Sequence, residues 1–449
     1  MTVISHFRFV LFSFVVLSSS LAASDGYWGG IQINEADHQI WAHCLKKQGM
    51  NTVSVTVYAQ QGDWDTDHIW FNEEEPSVLS EIRVTKESGL KVVLIPRVAL
   101  DHAFPRNAAL WHGMIMPRTD EQVRNWFKTY TDYLVKWAKI AEEEKVDVLA
   151  VGSELKALTH TMPNSLENTS EEAENFQYWY ESFPERILDA HGDEAKREAY
   201  HQKVTQVSQS HLQWAEQIYG AEKSADGNKR NSKLKAEEQR IQELQARRGL
   251  LLSEWKKLIA EVRKHYSGPL TYASNFDAYQ NNLLWPELDL MGINAYFKLR
   301  HTLGPMIRDD LEMTLDASWG KIFAGIRKFR KALKIEDQPL IFTELGYTFF
   351  ENATVEPWSY GGTSVVESGQ LNYLVDWESQ QPNFVERSEA MESLQRTVGL
   401  PENDFFHGLL YWKFSTDPRH YAVERFMIYI GPGSTESALD SIRKMAQQQ

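Results

Sequence analysis

A (β/α)8 TIM barrel of the α/β class, with a long helical hairpin inserted after the fourth strand, is the architecture this sequence predicts. Three observations lead to it. Eight short runs rich in apolar and β-branched residues recur along the 449 residues, most of them separated by amphipathic stretches of helix length. Two runs, 148–155 and 340–347, are apolar up to a small residue that is followed by a glutamate, Glu154 and Glu344. More than one hundred residues then lie between the fourth run and the fifth, far beyond what one helix needs.

The elements follow in order. The first strand is expected at 30–33. A helix that stops at Gly49 leads to the second at 52–58, and another closing at Gly89 leads to the third at 91–96. Residues 124–145 are the clearest helix, with Trp126, Phe127, Tyr130, Tyr133, Leu134, Trp137 and Ile140 on one face. The fourth strand carries Glu154, the fifth spans 270–275, the sixth 288–296, the seventh carries Glu344 and the eighth spans 408–414. A doubly wound open sheet is the competing arrangement, but Gly29-Gly30 does not complete the Gly-rich first turn of that class.

The insertion is expected at about 163–254. Residues 175–222 and 233–265 read as helical, split by the polar turn 224–232. Ile241, Leu244, Leu251, Trp255, Leu258, Ile259 and Val262 share one face, so the second arm should run on into the barrel's own fourth helix. An insertion after strand four sits on the face where strand-to-helix loops gather. There it either shapes a cleft or mediates contacts in a homo-oligomer.

Composition narrows the function. A net charge of −15 argues against nucleic-acid or acidic-lipid partners. Arg8, the apolar run 9–17 and the small residues at 18–24 read as a secretory signal over 1–24, leaving 25–449 as the mature domain, secreted or periplasmic. No later segment is long and apolar enough to insert in a membrane. The single Cys44 excludes an internal disulfide and is expected as a buried hydrophobe in a helix. No zinc-protease, nucleophile-elbow or P-loop pattern occurs, and His38, His43, His102 and His112 read as ordinary surface or core histidines, so no metal or cofactor is expected.

The two glutamates remain. A strand buried on both faces has no structural use for an unpaired carboxylate, whose burial is costly. The C-terminal ends of barrel strands are where this architecture places its chemistry, and two carboxyls on different strands fit glycosidic cleavage. A structural ion pair or helix cap is the alternative for either.

Four motifs occur in sequence order: Val151-Gly152-Ser153-Glu154-Leu155, Thr271-Tyr272-Ala273-Ser274-Asn275, Gly292-Ile293-Asn294-Ala295-Tyr296 and Phe342-Thr343-Glu344-Leu345-Gly346-Tyr347. Together they resemble glycoside hydrolase family 113, a (β/α)8 family of the retaining clan A associated with β-1,4-mannan and manno-oligosaccharides. The resemblance implies Glu154 as general acid/base and Glu344 as nucleophile, with the first holding its proton while the second stays ionised. It also implies Tyr296 as hydrogen-bond partner of the nucleophile and Trp412 as the floor under the sugar, with core packing as the alternative for Trp412. Asn275 and Asn294 end strands and either bind sugar hydroxyls or close turns. Arg97 follows Pro96 and is expected to contact substrate, pair with a catalytic carboxylate or make a structural ion pair. Trp64, Trp70 and Trp111 lie in loop-like stretches as candidate stacking platforms or core residues. Ser153 stands where most of the clan has asparagine, which leaves the contact to the sugar 2-hydroxyl open.

Overall fold

The computed structural model describes residues 26–159, 246–358 and 383–447, apart from 34, 36, 73, 105–106, 108–110, 283 and 303, and the backbone of 364–367 and 370–373. The expected signal segment and the hairpin up to 245 lie outside the described residues.

Eight strands form the barrel: β1 (Tyr27–Gln32), β2 (Thr52–Gln61), β3 (Lys91–Leu100), β4 (Val148–Ser153), β5 (Leu270–Asn275), β6 (Met291–Asn294), β7 (Leu340–Leu345) and β8 (Phe406–Ser415). Each pairs in parallel with its neighbours, and β1 pairs with both β2 and β8, so the sheet closes on itself. Closure leaves no edge strand. It also brings backbones very close: a Cβ on Gly29 would lie 1.6 Å from the Thr52 carbonyl oxygen, so only glycine fits there.

Side chains alternate between two cores. Val93, Ile95, Val148, Ala150, Ala273, Ile341 and Leu410 fill the barrel interior. Their neighbours Val92, Leu94, Leu149, Tyr272, Phe342 and Leu409 face outward and join the larger core under the helices. This two-sided burial is why the strands read as nearly unbroken apolar runs.

Among the described residues seven α-helices surround the strands: α1 (His38–Lys47), α2 (Glu75–Glu87), α3 (Asp120–Glu143), α4 over 246–262, α5 (Arg308–Leu333), α6 (Val385–Val398) and α7 (Ser437–Gln447). A reciprocal capping box between Thr119 and Gln122 starts α3. Its expected face is buried, with only Ile140 partly open. In α4, Leu251, Trp255, Leu258, Ile259 and Val262 are buried, so the stretch expected as the barrel's fourth helix takes that place. Cys44 is buried in α1. The β5–β6 connection departs from the repeat. It holds two 3-10 turns, Tyr279–Asn281 and Trp285–Glu287, and the buried Trp285 fills the space under them, its indole N–H donating to the Tyr279 carbonyl at 2.9 Å.

Candidate active site

Polar side chains replace apolar ones at the C-terminal end of the barrel interior. Arg97 continues the inward series Val93, Ile95 on β3, and Trp412 continues the series from Leu410 on β8. Asn275 and Asn294 end β5 and β6 as register partners. Strict alternation from Ile341 would send the Glu344 side chain outward. The structure avoids this with an extra residue in β7. Ile293 pairs with Phe342, but the next residue, Asn294, pairs with Glu344. One inserted residue flips the faces beyond it, and Glu344 turns inward beside Asn294. The register of β4 is also irregular between Ala150 and Ser153, and Glu154 then adopts a left-handed φ of 56°. A non-glycine residue there costs about 1–3 kcal/mol and persists only where its surroundings dictate it. Here the Glu154 N–H donates to the Ala273 carbonyl at 2.9 Å and the Leu155 N–H to the Tyr272 hydroxyl at 2.9 Å.

The two carboxylates have different partners. Glu344 pairs directly with the Arg97 guanidinium, both side chains 4% exposed, and accepts a hydrogen bond from the Tyr296 hydroxyl at 2.8 Å. Glu154 lies 2.9 Å from the His112 imidazole Nε2. Arg97 acts on both, since the charges of Glu344 and Glu154 each favour its protonated form. Its guanidinium also sits 5.3 Å from the centre of the Trp412 ring.

These neighbours set the protonation states. Burial raises the Glu344 carboxyl, the Arg97 cation opposes that, and the Glu154 charge adds to the rise; Tyr296 works against it. Burial also pushes Glu154 up, but the hydrogen bond and charge of His112, followed by Arg97 and the Asn294 amide, outweigh it and hold Glu154 at about 2. Glu154 is thus held below the usual carboxylate range, while burial moves Glu344 upward within its pair with Arg97. The physical cause of the Glu154 shift is the His112 side chain lying against that carboxylate.

His112 is the residue that sequence reasoning missed. Read as an ordinary histidine, it instead opens the turn His112–Met114 beyond β3 and touches Glu154. The run Trp111-His112-Gly113, in the loop that follows a barrel strand, was the available signal. Trp111 edges against this imidazole at 5.2 Å between ring centres. Trp64 is half-buried, its side chain packed against the core and its backbone N–H donating to the Asn107 side-chain oxygen at 3.0 Å. Trp70 lies in a short strand beside β2 and packs on His68 and Phe104. Asn294 is buried and accepts from the Thr343 hydroxyl at 2.8 Å, while the Asn275 side-chain oxygen is buried without a hydrogen-bond partner. Trp412 is half-buried. Among the described residues no cluster of His, Cys, Asp or Glu is arranged to hold a metal ion.

A (β/α)8 barrel with two shielded carboxylates at the C-terminal ends of its strands is the arrangement of a carboxylate-dependent glycoside hydrolase. The chain belongs to Glycoside Hydrolase Family 113, whose model matches residues 20–165 and 244–386. Similar solved structures include the GH113 β-mannanase AaManA from Alicyclobacillus acidocaldarius in complex with ManMIm. It is 16% identical, with a TM-score of 0.57 over 94% of this chain and 98% of that one. Two structures of GH113 β-1,4-mannanase are also 16% identical. One gives a TM-score of 0.53 over 95% of this chain and 99% of its own, the other 0.54 over 94% and 100%. At that identity the likeness is one of fold. No curated protein matches the chain.

Proposed function

We propose that this glycoside hydrolase cleaves β-1,4-mannan or manno-oligosaccharides with retention of configuration, Glu344 acting as nucleophile and Glu154 as general acid and then base. The observation that carries the reading is the convergence of both carboxylates on Arg97 inside the barrel mouth. In the first step the Glu344 oxygen bonds to the anomeric carbon while the glycosidic C–O bond breaks and Glu154 passes a proton to the departing oxygen. In the second, Glu154 takes a proton from water as its oxygen displaces Glu344. The buried, unpartnered Asn275 oxygen and Ser153 hydroxyl are groups that sugar hydroxyls would satisfy. Family membership and the β-mannanases among similar structures support mannan as substrate.

Digestion of β-1,4-mannan, manno-oligosaccharides and matched gluco-, xylo- and galacto-configured glycans, followed by proton NMR of the first product, tests this. The β-anomer should appear first, from the manno-configured substrates. An initial α-anomer would refute retention. Turnover confined to other sugars would refute the substrate, and binding without products would favour a carbohydrate-binding barrel. We also propose export through 1–24, in keeping with an extracellular polymer. N-terminal sequencing of protein from outside the cytoplasm should begin close to residue 25, and an uncleaved Met1 would reject it.

A further inference from the structure

We propose that His112 and Glu154 hold one proton between them, and that the imidazole is its resting place, so that Glu154 is recharged from His112 each time it protonates a leaving group. The inference rests on Glu154 being the general acid. It starts from geometry. The imidazole Nε2 lies 2.9 Å from the Glu154 Oε2, and the two side chains are only 23% and 14% exposed. The turn that carries His112 is tied to the chain just beyond Glu154, because the Ala157 N–H donates to the Gly113 carbonyl at 2.9 Å. Trp111 packs its ring against the imidazole. Both ends of the contact are thus held by backbone, and the shared proton has a fixed path.

Among the groups that face Glu154, His112 is the one suited to exchange a proton near neutrality. Arg97, from β3, is a permanent cation. Tyr272, from β5, has its hydroxyl pushed up by burial and stays neutral. Asn294, from β6, does not titrate. Glu344, from β7, is engaged by Arg97 and Tyr296. Further out, Lys156 is paired with Asp277 at 2.7 Å.

The proton balance closes. The resting pair is imidazolium and carboxylate. As the glycosidic bond breaks, the proton moves from Nε2 to the Glu154 carboxylate and on to the departing oxygen, leaving both groups neutral or anionic as imidazole and carboxylate. In the second step water gives its hydroxide to the anomeric carbon and its proton to Glu154, which returns it to His112. The pair titrates as a unit. The carboxylate beside the imidazole favours keeping that proton on the pair. With the imidazole gone, the proton sits on a carboxyl alone and is lost at lower pH.

The test uses the full chain with His112→Gln and His112→Ala, on aryl glycosides of the sugar that the wild type cleaves. One aglycone is a poor leaving group that needs a proton, the other an activated nitrophenolate that does not. At pH 7 the variants should lose roughly 10- to 100-fold in kcat/KM with the poor leaving group and no more than roughly a few-fold with the activated one. The alkaline limb should move down by roughly one pH unit or more. Activity on the activated substrate shows that the variants fold. A wild-type alkaline limb, or equal losses on both aglycones, would overturn the shared proton and leave His112 as packing. If the wild type cleaves no glycoside at all, the functional reading itself fails.

Discussion

Glu344→Gln should lower turnover by about 10^4-fold or more while the barrel stays folded. The amide keeps the shape of the carboxylate and retains an oxygen for the Tyr296 hydroxyl or the Arg97 guanidinium, so local packing changes little. It cannot form the glycosyl ester. Initial rates on the best glycan, with circular dichroism as the folding control, measure the effect. Truncation to glycine then separates the two glutamates by stereochemistry. In Glu344→Gly added azide fills the nucleophile's place and attacks the face that Glu344 used, giving the α-glycosyl azide. In Glu154→Gly the Glu344 ester still forms, and azide displaces it from the other face to give the β-product. The opposite pair of products would exchange the assigned roles. Near wild-type turnover by Glu344→Gln would remove that residue from the chemistry.

Arg97→Ala should destabilise the protein by about 3–5 kcal/mol, because it leaves Glu344 as an uncompensated charge inside the barrel. Both partners are 4% exposed, so solvent does little to screen the loss. The double variant Arg97→Ala/Glu344→Gln should recover part of that stability, since it removes the orphaned charge. Urea unfolding of the wild type, both single variants and the double variant completes the cycle. A double variant no more stable than Arg97→Ala would show that the guanidinium matters for packing on Trp412 instead of for charge. A pH effect accompanies this. Arg97 pulls the Glu344 carboxyl down against burial and the Glu154 charge. Its loss raises that carboxyl further, and a nucleophile must be ionised to attack. The acid limb of any residual activity should therefore move to higher pH.

Much of this barrel was legible because its signals are local. Gly49 and Gly89 stop helices before strands, β5 runs over the expected 270–275, and Glu154 and Glu344 stand out against apolar surroundings that give a carboxylate no structural purpose. The ends of β2 and β3 were less legible. Both strands run further than expected, to Gln61 and Leu100, since polar Gln60, Gln61 and Arg97 look like loop residues until the fold supplies their partners, the Trp126 indole for Gln61 and Glu344 for Arg97.

By itself, then, the amino-acid order determined the strand count, the parallel alternation with helices and the two acidic side chains. These depend on residues within a turn or two of each other. Tertiary structure alone decided which way the acids point and which of them is the more acidic. An extra residue in β7, visible only through its pairing with β6, turns Glu344 inward. A histidine 42 positions away from Glu154 makes that carboxyl the more acidic of the two. Register and electrostatics belong to groups that meet only when the barrel closes, so no periodicity along the chain encodes them.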